Sequence, residues 1–118
     1  MTKNIYWTLS GNIKDNKIDD LKIFLCDILT KTKTETGCLN YEFWFSEDKR
    51  KIYLFERYAD PESCLAHIKN ISMDLPIFFE CVDLDPIVIL GEVTVAVREI
   101  FDKMNTSYTH FFKGHTAI

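Results

Sequence analysis

The stretch Cys38–Tyr58, CLNYEFWFSEDKRKIYLFERY, holds two runs rich in aromatic and apolar residues, separated by the polar loop SEDKR. Such a pattern reads as two strands joined in a β-hairpin, Cys38 to Phe45 and Ile52 to Tyr58. Pairing across Ser46 and Lys51 places Tyr41 opposite Glu56 and Phe43 opposite Leu54. Alternation then gives one face made of Leu39, Tyr41, Phe43, Phe45, Ile52, Leu54, Glu56 and Tyr58. The other face carries Asn40, Glu42, Trp44, Tyr53, Phe55 and Arg57. The first face is apolar around a single carboxylate and is expected to lie under helices. The second mixes polar residues with three large aromatics, whereas a sheet with one wet face alternates cleanly between apolar and polar. A second copy of the chain is the simplest cover for it.

Working outward, NIYWTL (residues 4–9) reads as a first strand and Gly11–Asn16 as a turn. From Lys17 the period changes. Ile18, Leu21, Phe24, Leu25, Ile28 and Leu29 recur at helical spacing, and Gly37 closes the loop that follows. After the hairpin, Asp60 offers an N-cap oxygen and Pro61 sits at the first helical position, where a missing N–H costs nothing. This helix runs to about Lys69. A short helix is expected from Leu75 to Val82 with Asp74 as its cap. Pro86 precedes the strand IVIL, Val95–Met104 reads as a helix, and YTHFF as a last strand. The order β-α-β-β-α-(α)-β predicts an α+β ferredoxin-like sandwich with an antiparallel sheet. One domain, 1–118, is expected, with residues 93–118 a C-terminal helix–strand extension.

Composition narrows the classes of function. The 118 residues are 47% hydrophobic and 14% aromatic, which supports a packed core and excludes disorder. The net charge of -4 and the lack of a basic stripe argue against nucleic acid. No apolar run approaches the ~20 residues of a membrane span. Thr8, Ser10 and Asn12 interrupt any signal-peptide core near the N-terminus, so a cytoplasmic protein is expected. The four cysteines form no CxxC pair, and His110 and His115 stand isolated, so no metal site is expected. No glycine-rich phosphate loop is present, and no bound cofactor is expected.

The ordered residues in ETGCLNYEF (Glu35–Phe43) and IYLFERYADPESCLAHI (Ile52–Ile68) resemble the antibiotic biosynthesis monooxygenase domain family. The resemblance rests on Glu35, Gly37, Cys38, Tyr41, Glu56, Tyr58, Ala66 and His67, and spans roughly residues 4 to 92. It implies a ferredoxin-like fold that dimerises through its sheets into a shared α/β barrel, with a pocket between sheet and helices. Several members oxidise quinols or polycyclic aromatic compounds with dioxygen, without metal, flavin or haem. Relatives on the same scaffold degrade haem or have no established activity. Tyr58 stands where the family usually has Trp. Ser72 stands where many members carry a second His, so a mechanism with two imidazoles does not carry over.

The expected catalytic residues are His67 and Glu56. His67, as a neutral imidazole, could take a proton from a phenolic substrate near neutral pH. A structural histidine bonded to a backbone carbonyl or to Glu56 is the other reading. Glu56 is either a pocket acid, base or orienting group, or a structural partner of Tyr41 or of a helix N-terminus. Tyr41, Phe43, Leu54, Tyr58, Cys64 and Phe78 are the candidate substrate-binding wall. Cys64 is a poor nucleophile, because an apolar helix face raises a thiol pKa. Trp44 is assigned to the homodimer interface. The function expected is a cofactor-independent monooxygenase acting with dioxygen on a small aromatic hydroxy compound, a quinol or polycyclic phenol. The alternative is a non-catalytic dimeric protein that binds a small ligand on the same scaffold. Haem degradation would need a histidine free to ligate iron and a pocket wide enough for a porphyrin.

Overall fold

The computed structural model of the protein describes residues 2–117. Its elements are β1 (Ile5–Ile13), α1 (Ile18–Thr32), β2 (Cys38–Phe45), β3 (Lys51–Tyr58), α2 (Pro61–Ile71), α3 (Leu75–Cys81), β4 (Val82–Leu84), β5 (Ile87–Leu90), α4 (Val95–Phe101) and β6 (Thr106–Tyr108). They form an α+β sandwich in which the helices cover one face of a sheet ordered β2-β3-β1-β5-β6. The hairpin has the expected register, with Tyr41 opposite Glu56 and Phe43 opposite Leu54. Its turn is closed by Asp48, whose Oδ1 accepts from the Ser46 hydroxyl at 2.7 Å and from the Arg50 N–H at 3.0 Å. Leu39 departs from expectation. A register shift between Cys38 and Asn40 turns it out of the core, and it is exposed.

Helix α1 forms because Leu21, Phe24, Leu25 and Ile28 make one apolar stripe, all buried against the sheet. Asp19 and Asp20 in its first turn and Lys31 in its last complement the helix dipole. Asp60 caps α2 as expected, accepting from the Ser63 N–H at 2.8 Å, and Pro61 opens the helix. Helix α2 continues to Ile71, past Lys69, because Ile71 is buried in the core. Asp74 does not cap α3 through its side chain; its carboxylate instead pairs with Lys31 Nζ at 2.8 Å.

Strand β1 runs on to Ile13, into the first half of the segment expected to be a turn, and the turn itself falls at Asp15 and Asn16. Gly11 pairs with Ile52 on one side and Leu84 on the other. A Cβ there would lie 2.5 Å from the Asp83 carbonyl oxygen, so glycine is what lets β4 approach. The chain breaks at Asp85-Pro86, and β5 then resumes pairing with the other end of β1. The final strand covers Thr106–Tyr108 rather than Tyr108–Phe112 and lies parallel to β5, the one parallel pair among the described residues. Helix α4 ends at Phe101, three residues before Met104.

The core divides into two clusters. One joins α1 and α3 to Ile52 and Leu54; the other joins Ile5, Trp7, Tyr58, Ile87 and Ile89 to Val97 and Phe101 of α4. The opposite sheet face is uncovered, and Trp44, Tyr53, Val88 and Leu90 are all exposed on it. No helix among the described residues is long and apolar enough to cross a membrane.

Candidate functional site

Between the two core clusters lies a cavity of about 70 Å³ with one polar patch, made by Glu56 and His67. The sheet contributes Trp7, Leu9 and Ile87 to its wall. Helices α2 and α3 contribute Ile68, Ile71, Leu75 and Phe78, and the C-terminal segment contributes Ile100, Phe101 and Met104. A larger depression of about 500 Å³ runs between α1 and α3, but it is open and rimmed by Lys17, Asp20, Lys31 and Glu80, and neither His67 nor Glu56 reaches it.

His67 is 1% exposed. Its Nδ1 lies 3.1 Å from both carboxylate oxygens of Glu35, so Nδ1 carries the proton and donates it. Asn70 holds Glu35 in place, its Nδ2 donating to Oε2 at 2.7 Å. The contact depends on how the loop after α1 seats against α2. Gly37 lies so close to Ser63 that any Cβ would overlap the Ser63 side chain, and its carbonyl accepts from the Ala59 N–H at 2.9 Å. Ser63 and His67 are four residues apart on one helical face, so the loop that rests on the first brings Glu35 to the second.

With Nδ1 donating, Nε2 is left as an acceptor. It is buried, has no hydrogen-bond partner, and lies 3.7 Å from Glu56 Oε1, too far for a hydrogen bond. A buried acceptor without a partner costs about 1–3 kcal/mol, which is a reason to expect a ligand or water there. Glu56 is also buried, and its Oε1 accepts from the Tyr58 hydroxyl at 2.7 Å. Tyr41 is opposite Glu56 in the hairpin but is not its hydrogen-bond partner; its ring meets the edge of His67 at 4.9 Å. Tyr58 packs against His67 at 5.2 Å and stacks on Trp7 at 4.8 Å. The imidazole is thereby wedged between two phenol rings and a carboxylate, with its orientation fixed.

Burial sets the protonation states. It raises the Glu56 carboxyl to about 7, against the Tyr58 hydrogen bond, which favours the anion. It depresses His67 below the ordinary imidazole range, against Glu35, which supports the charged form. The site near neutral pH therefore pairs a neutral imidazole with a carboxyl that can exist as acid or as base. Burial also pushes the Cys64 and Cys38 thiols up to about 12, so neither is a thiolate nucleophile.

Of the residues named from sequence, Glu56, His67 and Phe78 meet at the cavity wall. Tyr41 and Tyr58 lie behind the wall, against the imidazole. Phe43 packs on Tyr41 at 4.9 Å, Leu54 is buried in the first cluster, and Cys64 in the second. The residues not assigned a role from sequence are Glu35, Asn70, Trp7 and the wall of the C-terminal segment. Glu35 was visible as part of the ETGC motif, but nothing in the local pattern pairs it with a helix 32 residues later. Glu35, Cys38 and His67 bring one ligand atom each within 4.8 Å of one another. A metal there would have to displace both the Nδ1 proton and a strongly held thiol proton. The cavity is far too small for a porphyrin.

The architecture defines the class as an α+β protein of ferredoxin-like fold. No family model matches the chain, and no curated protein matches it in sequence. Solved structures do. MupZ from Pseudomonas fluorescens superposes with a TM-score of 0.88 at 20% identity, covering 99% of this chain and 91% of that one. A protein from Nitrosomonas europaea, provisionally named an antibiotic biosynthesis monooxygenase, gives 0.67 at 16% identity and covers 80% of this chain and 95% of its own. A conserved protein of unknown function from Bacteroides thetaiotaomicron, described as a possible oxidoreductase, gives 0.66 at 14%, covering 75% and 97%. At these identities the likeness is one of fold.

Proposed function

We propose that the protein is a cofactor-independent monooxygenase of the antibiotic biosynthesis monooxygenase type, acting with dioxygen on a small aromatic hydroxy compound. The observation that carries this reading is the free, buried Nε2 of His67 beside Glu56 at the only polar patch of an aromatic-walled cavity. A quinol entering the cavity gives its phenolic proton to Nε2, while Glu35 holds Nδ1–H and stabilises the imidazolium that forms. The resulting anion passes an electron to dioxygen, and the two radicals combine at a ring carbon as a peroxide. Loss of water leaves a hydroxyquinone. One oxygen atom enters the product and the other leaves as water, and the quinol supplies all the electrons, so no external reductant is needed. Glu56, whose carboxyl burial raises to about 7, supplies the proton that the departing oxygen takes up. The fold neighbours named as a monooxygenase and a possible oxidoreductase support the class of reaction.

We infer further that the working unit is a homodimer formed through the uncovered sheet face, with Trp44 and Tyr53 at its centre. Such an aromatic surface is what soluble monomers avoid exposing.

One observation favours a second reading. The enclosed volume of about 70 Å³ falls below the ~300 Å³ at which ligand sites ordinarily begin. A volume this small fits a non-catalytic dimeric protein in which His67 and Glu56 are structural, unless the cavity widens to admit a ligand. Oxygen uptake with a panel of quinols and hydroxylated polycyclic aromatics separates the two. Under the enzymatic reading at least one compound consumes oxygen, and labelled dioxygen places one labelled atom in the product. If ligands bind and no oxygen is consumed, the non-catalytic reading replaces it.

A further inference from the structure

The cavity is walled on one side by residues outside the segment that resembles a known family. Ile100, Phe101 and Met104 all belong to the C-terminal segment 93–118. That segment amounts to about a fifth of the chain. The neighbours from Nitrosomonas europaea and Bacteroides thetaiotaomicron are matched over 95% and 97% of their own length while covering only 80% and 75% of this chain. The shortfall is close to the size of this segment. MupZ, in contrast, is matched over 99% of this chain, so the segment that supplies this wall is shared with some neighbours of the fold and not with others.

The wall is firmly attached. Val97 and Phe101 of α4 are buried against the second core cluster, and the Phe101 ring meets Trp7 at 5.2 Å. On the far side, the Tyr108 hydroxyl donates to Asp102 Oδ1 at 2.6 Å, and the Arg98 guanidinium lies 4.0 Å from the Tyr108 ring centre. The Ile87 N–H donates to the Asn105 carbonyl at 2.7 Å, tying the turn after α4 to a strand that itself lines the cavity. Met104 sits between these fixed points, partly buried, with a flexible apolar side chain that fills irregular space.

Resting on the reading of the cavity as a substrate site, we propose that Met104, backed by Ile100, sets the size of the ring that can reach His67 and Glu56. The site then takes a single-ring phenol or quinol and excludes fused rings. Met104 touches neither Glu56 nor His67 in the hydrogen-bond network, so shortening it enlarges the cavity without altering the polar patch.

The test is binding, measured by calorimetry on the full chain with phenol, 1-naphthol and 1-anthrol, for the natural protein, Met104→Ala and Ile100→Val. Ile77→Ala, in the remote depression between α1 and α3, serves as control. The natural protein is expected to bind phenol and to bind anthrol at least tenfold more weakly. Met104→Ala raises anthrol affinity at least tenfold relative to phenol, reversing or abolishing the natural size ranking. Ile100→Val gives the same trend, more weakly, and keeps the test open if Met104→Ala fails to fold; Ile77→Ala leaves the ranking unchanged. Folded variants that keep the natural ranking overturn the proposal, and so does binding of none of the rings by any protein. Because binding needs no dioxygen, a failure of oxidation leaves this result readable. Oxidation without any size ranking would defeat the proposal alone.

Discussion

Nδ1 of His67 lies 3.1 Å from both oxygens of Glu35, across 32 residues of sequence, and this contact fixes which nitrogen of the ring is free. Glu35→Gln keeps an acceptor but removes the charge that supports the imidazolium. The imidazole then holds a proton less readily, and a rate that depends on His67 as base falls. A pH profile of oxygen uptake is expected to show the acidic limb, which reports His67 losing its proton, shifted to lower pH, with melting temperature little changed. An unshifted profile would mean that Glu35 is merely structural.

Gly37 is the means by which Glu35 reaches the site. Gly37→Ala drives its methyl into Ser63, and the loop must lift from α2. The expected outcome is a stability loss of about 1–3 kcal/mol in chemical denaturation, together with the same loss of activity as Glu35→Gln. If Gly37→Ala lowers stability and leaves activity whole, the loop does not position Glu35.

Glu56 and His67 make opposite contributions to stability as pH changes. Burial raises Glu56 from an ordinary 4.5 to about 7, so between those values the folded state holds a proton that the unfolded chain has lost. Its contribution is full below 4.5 and lost as pH rises through about 7. His67 is depressed, so the unfolded chain takes up a proton first and stability falls as pH drops below about 6.5. Glu56→Gln removes the first effect, worth up to about 3 kcal/mol. Urea denaturation from pH 4 to pH 8 is therefore expected to show, for Glu56→Gln against the natural protein, a relative gain in stability as pH rises. Parallel curves would contradict the assignment of the raised carboxyl to Glu56.

The hairpin made the fold readable, because alternation and turn chemistry fix its register and thus the placing of Tyr41, Glu56, Phe43 and Leu54 together. His67 and Glu56 were legible as candidates because each breaks an apolar pattern. Their geometry was not. Which carboxylate bonds His67 depends on the seating of the Gly37 loop on α2, a contact between two segments with no shared periodicity. Strand β4 is three residues long and lies against a glycine, so no run of sequence announces it. The parallel pairing of β6 depends on where α4 docks, and with it goes the cavity wall that Met104 supplies.

Trp44 is 60% exposed on the uncovered sheet face, beside Tyr53. Light scattering at micromolar concentration is expected to give a dimer for the natural protein and a monomer or unfolded chain for Trp44→Asp. A monomeric mass for the natural protein would rule out the interface.

The central claim is that His67 is the base on which oxidation depends. Its direct measurement is the oxygen-uptake rate of His67→Ala against the natural protein, on whichever quinol the natural protein turns over, with folding and dimer mass checked alongside. The account predicts a folded dimer slowed by about 10²–10⁴-fold. A folded His67→Ala dimer that consumes oxygen at the full rate would contradict it, and His67 would then be a core residue.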